Sequence, residues 1–558
     1  MHRSHFRLIV GALVVALSLT VVGGALGGSS AKPRSGGTVV FGADQEPNLL
    51  NTFITGGDHF WAGQITGIVI TGSYVLTPSF VYQPYLISKI KVQQRPFRLT
   101  YFIKKNAKWY EGGKGVTRDV TAQDYVFTWR TVMDKRWEIL GVTGYEDIAR
   151  AKVINKKTVQ FIFKKPFAGY KTIFGQILPA YALQGQNFNQ TWINNINNPK
   201  TNRPISNGPF YLTSWQRGRQ AELSRNPSFK LSKTAYLQKV VVRFLADTNT
   251  TAQQIRGGEV DVIYPQPQAF LVPLRQVSSL RIQVGLGPVW EHLDINMGYK
   301  DKGDPLLKKR FVREALMRGL NRQAIVNALY HATGIAPSLG VLNSGILVAN
   351  QKGYKPHWAQ YPYSVARAKA IMTQNGCTLG GDGIFVCQGA KAAFRLSTTA
   401  GNALRVLAEE IMQAQWKQAG FQINIVNDPG RLLFDERLPG GNYDLAQYAW
   451  VGSPDITGWN NIYGCRDDAK NQNQQNRQGY CNPKVDKLLA QVNASFSETK
   501  QKALTNQALA IMAKDMVIIP LFQKPTYLIH KRTFGGLKEN PTSAGPTWNI
   551  EFWYKTAA

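Results

Sequence analysis

Residues 240–264, VVVRFLADTNTTAQQIRGGEVDVIY, constrain the fold most, because they spell a strand, a helix and a second strand in one short run. Residues 240–245 are β-branched and aromatic. Residues 247–251 are a cluster of cap-type side chains, 251–256 form a short helical segment closed by Gly257 and Gly258, and 259–264 return as a strand. A strand, helix and strand in this order make a crossover between parallel strands, so the chain must contain an α/β layer. Asp247, Glu259 and Asp261 are explained as a cap and strand-end residues rather than as catalytic carboxylates.

The rest of the chain adds domains to that layer. At 558 residues it exceeds what one core can organise, and two to four domains are expected. An apolar fraction of 44 % excludes a disordered chain, and 51 glycines with frequent Asn argue against an all-helical one. Sixty-six Lys and Arg against 34 Asp and Glu give a net charge of +32, with only four of those cations before Ser35. Interleaved singly, as in residues 152–165, they read as a solvated basic surface without the aromatic clustering of a nucleic-acid site. No nucleic-acid partner is expected, whereas an anionic membrane or wall surface would be attracted.

Arg3 and Arg7 precede an apolar run over residues 8–26, and Ala25-Leu26-Gly27 or Ser29-Ser30-Ala31 offers a small-residue cleavage site. Residues 1–35 therefore read as a signal peptide or N-terminal anchor plus linker, and the protein as exported. The first cysteine is Cys377, which excludes a lipidated N-terminal cysteine. In an exported chain the four cysteines suggest disulfides. Cys377 and Cys387 flank the turn Gly380-Gly381-Asp382-Gly383, while Cys465 and Cys481 close a polar loop. Local pairing is the simplest of three connectivities. The absence of C-x-x-C and of paired His spacing speaks against a metal site, and no cofactor is expected.

Along the chain, boundaries are expected near Pro199 and at residues 285–288, where Pro and Gly cluster. Strands are expected at 38–42, 99–103, 158–163, 210–215, 220–225, 291–297, 421–426, 517–521 and 527–530. Thr121 should cap a helix with Asp124 in a capping box. Further helices are expected at 308–320, 323–330, 364–376, 402–419, 483–492 and 497–514.

No nucleophile elbow, phosphate loop, zinc-protease pair or dinucleotide fingerprint occurs in its required context. Ser497-Glu498-Thr499-Lys500 matches S-x-x-K without its partner motifs, and Ser497 stands where a helix cap is needed. The chain is not expected to be an enzyme. The better candidate is a recognition stretch over residues 444–455, where Tyr448, Trp450, Ser453 and Asp455 combine flat apolar surface with short polar groups, as a ligand cleft does.

Asn106-Ala107-Lys108-Trp109 followed by Thr121-Ala122-Gln123-Asp124-Tyr125-Val126-Phe127 resembles a signature of the extracellular solute-binding proteins of oligopeptide and dipeptide ABC importers, family 5 type. Ser206-Asn207-Gly208-Pro209-Phe210, Arg225-Asn226-Pro227 and the 240–264 stretch are similar to the next blocks. Val312-Arg313-Glu314-Ala315-Leu316, Asn321-Arg322-Gln323-Ala324-Ile325-Val326 and Gly479-Tyr480-Cys481-Asn482-Pro483-Lys484-Val485-Asp486 complete the series in order, over almost the whole mature chain.

The resemblance implies a two-lobed α/β, periplasmic-binding-protein-like fold with a hinge and an extra domain in the first lobe. Residues 36–71, 200–288 and 523–558 would form lobe I, 72–199 an inserted domain, and 289–522 lobe II. It also implies a monomer that encloses a peptide or other small solute and delivers it to an ABC permease and ATPase complex. In that family a Trp followed closely by an acid lines the cleft, the acid pairing with the ligand's α-amino group. Trp450 matches, but Ser453 stands where the acid is expected and the nearest carboxylate is Asp455. Trp290 and Asn207 are further candidates near the crossings between lobes. Alternatives from other classes are a secreted wall-modifying hydrolase and a non-importer sensor or adhesion module. Nickel, haem, sugar and peptide ligands all remain open.

Overall fold

The computed structural model describes residues 33–556 except 114, 266–270, 333–335, 337 and 453–454. Most of residues 1–35, expected as a signal peptide or N-terminal anchor plus linker, and Ser453 therefore lie outside the described residues. Ten strands make the central sheet: β1 (Thr38–Ala43), β2 (Phe210–Gln216), β3 (Gln220–Arg225), β4 (Lys239–Phe244), β5 (Val262–Ile263), β6 (Leu280–Ile295), β7 (Ala393–Ser397), β8 (Gln422–Ile425), β9 (Leu445–Val451) and β10 (Ile518–Lys531). They lie in the order β2-β3-β4-β1-β5-β10-β6-β9-β7-β8. The helices that bear on the site or its scaffold are α1 (Phe60–Gly67), α2 (Ala122–Met133), α3 (Thr248–Gly257), α4 (Ala403–Gln418) and α5 (Glu498–Asp515).

The strand-helix-strand stretch becomes β4, α3 and β5. Asp247 caps α3 by accepting the Thr250 N–H at 2.7 Å, and Gly258 ends it at φ 84°, in the left-handed region that glycine tolerates. β4 and β5 run parallel, as expected, but β1 lies between them and pairs with both. The carboxylates have structural partners: Asp261 accepts the Val40 N–H at 2.9 Å and pairs with Lys531 at 2.8 Å.

Local chemistry also explains the family-like blocks. Asp124 accepts the Thr121 N–H at 2.7 Å, the Trp109 indole N–H at 3.2 Å and the Ala180 N–H at 2.9 Å, so one carboxylate ties the Lys-Trp turn to the start of α2. Ser497 accepts the Lys500 N–H at 3.3 Å and caps α5, which accounts for the S-x-x-K match. Cys377 pairs with Cys387 across a hairpin, and Cys465 with Cys481.

Two strands differ from expectation. Residues 517–521 and 527–530 read as separate strands but belong to the single β10, and the Gly and Pro cluster 285–288 interrupts the ladder of β6 without ending the strand. β6 and β10 pair antiparallel from Leu280↔Lys531 to Leu286↔Pro525, lose register, and resume at Trp290↔Gln523. Pro288 and Pro525 have no N–H to give, and a break in an antiparallel ladder is where prolines are tolerated. Gly287 is required there: a Cβ would lie 2.0 Å from the Pro541 carbonyl oxygen.

The break separates two hydrophobic cores. One gathers Phe41, Trp61, Trp109, Phe161, Phe210, Val242 and Trp553, so residues 72–199 share a continuous core with β1, β2 and the C-terminal segment. The other gathers Trp290, Leu316, Trp358, Trp416, Leu445 and Phe522. Among the described residues, only the ribbon of β6 and β10 contributes long strands to both sides of the sheet.

Candidate ligand-binding cleft

Where the two cores meet, a cavity of about 380 Å³ opens over the break in the β6–β10 ladder, with Val289, Lys524 and Pro525 in its floor. One wall is built by the end of β1 and the start of α1. His59 caps α1, its Nδ1 accepting the Trp61 N–H at 3.2 Å while its Nε2 lies 2.9 Å from the Gln45 side-chain oxygen. Burial pulls the His59 pKa below its ordinary value against the opposing pull of Asp44 and Asp58, so the imidazole is neutral and Nε2 carries the proton. The Trp61 indole N–H donates to Asp44 at 2.6 Å. These bonds fix Asp44 and the start of α1 in the wall that Asp58 and Phe60 also line.

The facing wall is the C-terminal half of β9 with the segment around Asp435. Alternation along β9 puts Tyr448 and Trp450 on one face, opposite His292 and Trp290 of β6. The Tyr448 hydroxyl donates to buried Asp294, which also accepts from the Gln478 amide. The ring of Tyr448 lies 5.5 Å from that of Trp450 and 5.9 Å from that of Phe434, both edge-on.

Arg477 arrives from the loop that the Cys465–Cys481 bridge closes, and pairs across the cleft with Asp58 at 3.3 Å. The two sides also meet outside the cleft, where the Ala168 N–H donates to the Asn493 carbonyl at 2.6 Å and Phe97 packs on Phe496.

Beneath the floor lies an ion cluster. Glu291 of β6 is fully buried, with Arg405 of α4 at 3.0 Å and Lys524 of β10 at 3.3 Å. Burial alone would raise the Glu291 carboxyl, but the two cations overcome it and hold it at about 2. Arg405 also donates to the Thr399 hydroxyl at 2.9 Å, which fixes the guanidinium at the cavity edge.

Of the residues singled out in the sequence, Tyr448 and Trp450 line the cavity. Trp290 is in register with Trp450 but fully buried, its ring packed on those of His292 and Trp459. Asn207 is buried, and its amide is taken up by the backbone of Thr71, at 2.6 Å to the N–H and 3.2 Å to the carbonyl. Asp455 follows β9, accepts from the Thr457 N–H at 2.9 Å and hydroxyl at 2.7 Å, and is not among the residues lining the cavity.

Sequence reasoning missed Asp435, Arg405, Arg477 and Lys524, which lie far apart in the chain and match no pattern. The run Asp58-His59-Phe60-Trp61 carries the same aromatic and acidic mixture as 444–455 and was findable by the same rule.

Because the folded pKa of Glu291 lies below its ordinary 4.5, the stability it contributes is complete above pH 4.5 and is lost as pH falls toward about 2. Chemical denaturation across this range is expected to show that slope. In Glu291→Gln the slope should shrink, with a loss of about 3–5 kcal/mol at neutral pH because Arg405 and Lys524 are left buried without their carboxylate.

Three comparisons place the chain. The family model for bacterial extracellular solute-binding proteins, family 5, matches residues 81–473. The oligopeptide-binding protein AppA of Bacillus subtilis is 23 % identical over 535 residues, covering 94 % of this chain and 93 % of the relative. The solved structure of that AppA in complex with a nonapeptide superposes with a TM-score of 0.83 at 21 % identity, over 94 % of this chain and all of the other. A periplasmic EDTA-binding protein, EppA, has the same fold, with a TM-score of 0.81 at 21 % identity over 94 % and 98 % of the two chains. The expected two-lobed α/β binding-protein fold is therefore the observed one, and the chain belongs to the bacterial extracellular solute-binding proteins of family 5.

Proposed function

We propose that the cleft captures a peptide outside the cytoplasm and hands it to the permease of an ABC importer. The observation that carries this reading is the charge balance of the cavity. In a chain of net charge +32, its lining holds three carboxylates, Asp44, Asp58 and Asp435, and three cations, Arg405, Arg477 and Lys524. Such a lining suits a zwitterion with a polar backbone and apolar side chains, which Trp450, Phe60 and Phe434 would cover. The names of relatives, an oligopeptide-binding protein of Bacillus subtilis and a dipeptide-binding protein of Pseudomonas aeruginosa, support peptide over metal, haem or sugar. They are binding proteins, and they give no support to the hydrolase alternative.

Asp435 takes the ligand's ammonium in this reading. Asp435 lines the cavity, and burial pushes its pKa up to about 6 against the opposing pull of a hydrogen bond from the Asn48 side chain. A bound cation would stabilise its ionised form. Lobes dividing at the break in the β6–β10 ladder, with residues 36–71, 200–288 and 523–558 on one side and 289–522 on the other, would close by bending there.

The decisive experiment is mass spectrometry of the ligand that co-purifies with the protein; a metal complex or sugar would overturn the peptide reading. With the ligand in hand, affinity should rise with pH through about 6 as Asp435 ionises. Asp58, Arg431 and Arg477 also face this carboxyl, so Asp435→Asn is the control: it should weaken binding at least tenfold at neutral pH and flatten the profile. Trp450→Ala should cost about tenfold or more. If Trp450→Ala and Asp455→Asn both leave affinity unchanged, the 444–455 stretch is not part of the site.

One face supports attachment to an anionic surface. In the sheet of strands Ile87–Gln94, Phe97–Ile103, Thr158–Phe163 and Ile148–Asn155, cross-strand register places Lys89, Lys91, Arg98, Arg150 and Lys152 on the same side. None of the five has an ion-pair partner among the described residues, and this side faces away from the core. Vesicles rich in anionic lipid should bind the protein at low salt, and reversing Lys89, Lys91, Arg150 and Lys152 to Glu should weaken that binding at least tenfold. Equal binding by the variant would remove this face from the reading.

A further inference from the structure

The loop 466–480, closed by the Cys465–Cys481 bridge, meets the opposite side of the molecule at three places along its length. Near its start, the Lys135 ammonium donates to the Ala469 carbonyl at 3.4 Å. In its middle, Asn471, Gln472 and Asn473 line a cavity of about 210 Å³ together with Glu146, Asp147 and Lys165. Toward its end, Gln475 and Arg477 line the ligand cleft, and Arg477, only 6 % exposed, pairs with Asp58. Tyr463 and Tyr480 anchor the ends of the loop in the core that holds Trp290, whereas Val142 and Phe167, beside its middle, belong to the core that holds Trp61. The loop is therefore a strap from one side of the cleft to the other.

Little regular structure keeps the strap in shape. It contains one 3₁₀ turn, Asp468–Lys470, and one isolated β-bridge, Asp467↔Gln472. Asn471 and Asn473 stand at φ 52° and 57°, in the left-handed region that costs free energy for a residue with a side chain. The Asn476 amide donates to the Gly464 carbonyl at 2.7 Å and the Tyr480 carbonyl at 2.6 Å, and the Tyr443 hydroxyl donates to the Arg477 carbonyl at 2.7 Å. The disulfide adds to these bonds by limiting what the loop samples when they open. It is also the more accessible of the two bridges. Cys481 is exposed and Cys465 half-buried, whereas Cys377 and Cys387 are 1 % and 4 % exposed and line neither cavity. Thiol–disulfide exchange needs access to a sulfur, so a dithiol reaches the strap first.

We propose that the Cys465–Cys481 bridge is a redox-sensitive latch on the cleft: a dithiol opens it, the strap loosens, and Arg477 is no longer held at the ligand site. The reductant class is a protein dithiol outside the cytoplasm, for which dithiothreitol stands in the test. One of its thiolates attacks the Cys481 sulfur, forming a mixed disulfide and expelling Cys465 as a thiolate that takes up a proton. Its second thiol then displaces Cys481, so two electrons and two protons pass to the bridge and the dithiol leaves as a disulfide. The inference rests on the reading of the cleft as the ligand site. Because the bonds of Tyr443 and Asn476 survive reduction, the latch lowers affinity and leaves the ends of the loop in place.

The test titrates ligand-stripped protein with dithiothreitol, alkylates the freed thiols and identifies them by mass spectrometry. Capture from an equimolar random library of di- to nonapeptides and amide hydrogen exchange are measured on the same samples. Cys465 and Cys481 should be freed at dithiothreitol concentrations at least tenfold below those that open Cys377–Cys387. Over that step, total peptide capture should fall at least tenfold, exchange in residues 466–480 should quicken, and reoxidation should restore both. The double variant Cys465→Ser, Cys481→Ser should match the reduced protein and ignore dithiothreitol; the titration itself needs no substitution and decides the matter even if that variant misfolds. Earlier opening of Cys377–Cys387, unchanged capture after Cys465–Cys481 is reduced, or a loss that reoxidation does not reverse overturns the latch while leaving the peptide reading intact. If the oxidised protein captures no peptide, the peptide reading falls and exchange decides the latch: reversible quickening in 466–480 supports it, and unchanged exchange overturns it.

Discussion

One ribbon of two antiparallel strands, β6 and β10, joins the two halves of the sheet, and its ladder is interrupted between Leu286 and Trp290, with a smaller register shift just beyond at Glu291 and His292. The ladder must cross from one hydrophobic core to the other, and a continuous ladder would weld the two into a rigid slab. Gly287, Pro288 and Pro525 interrupt it by removing register and donors between Leu286↔Pro525 and Trp290↔Gln523. The interruption leaves Val289 and Lys524 as the floor of the cavity, so the break in the ladder and the cleft coincide, and the proposed closure would bend the molecule there.

The cleft is electrostatically prepared in spite of the surrounding charge. Glu291 is held ionised under the floor by Arg405 and Lys524, and those cations are thereby fixed rather than free to collapse onto solvent or ligand. Above the floor, Asp58 and Arg477 join the two walls, and Arg477 owes its place to a loop closed by a disulfide. Preorganised charges of both signs favour a ligand that carries both, and they need little rearrangement when it binds.

Much of the fold was legible in the sequence because its signals are local. Asp247, Thr121 and Ser497 announce helix starts through bonds made within three residues, and the structure shows those bonds. The strand-helix-strand stretch was legible for the same reason, but not that β1 would sit between its strands, since pairing partners lie some 200 residues away. The prolines misled where they usually inform: a Pro ends a strand unless the ladder is already broken, and no local pattern reveals a break made by two distant segments. In the site, the β9 aromatics were visible as an alternating run. Asp435, Arg405, Arg477 and Lys524 were not, because single charged residues acquire meaning only when folding brings them within a few ångströms.

Bending at the break is tested most directly by a distance across the cleft mouth. Lys135 and Ala469 are exposed and in contact from opposite sides, the Lys135 ammonium 3.4 Å from the Ala469 carbonyl oxygen. Spin labels at these two positions should report a longer, broader separation in ligand-stripped protein and a short, narrow one after the co-purified ligand is returned. The same short distance in both states would contradict a hinge at the β6–β10 break.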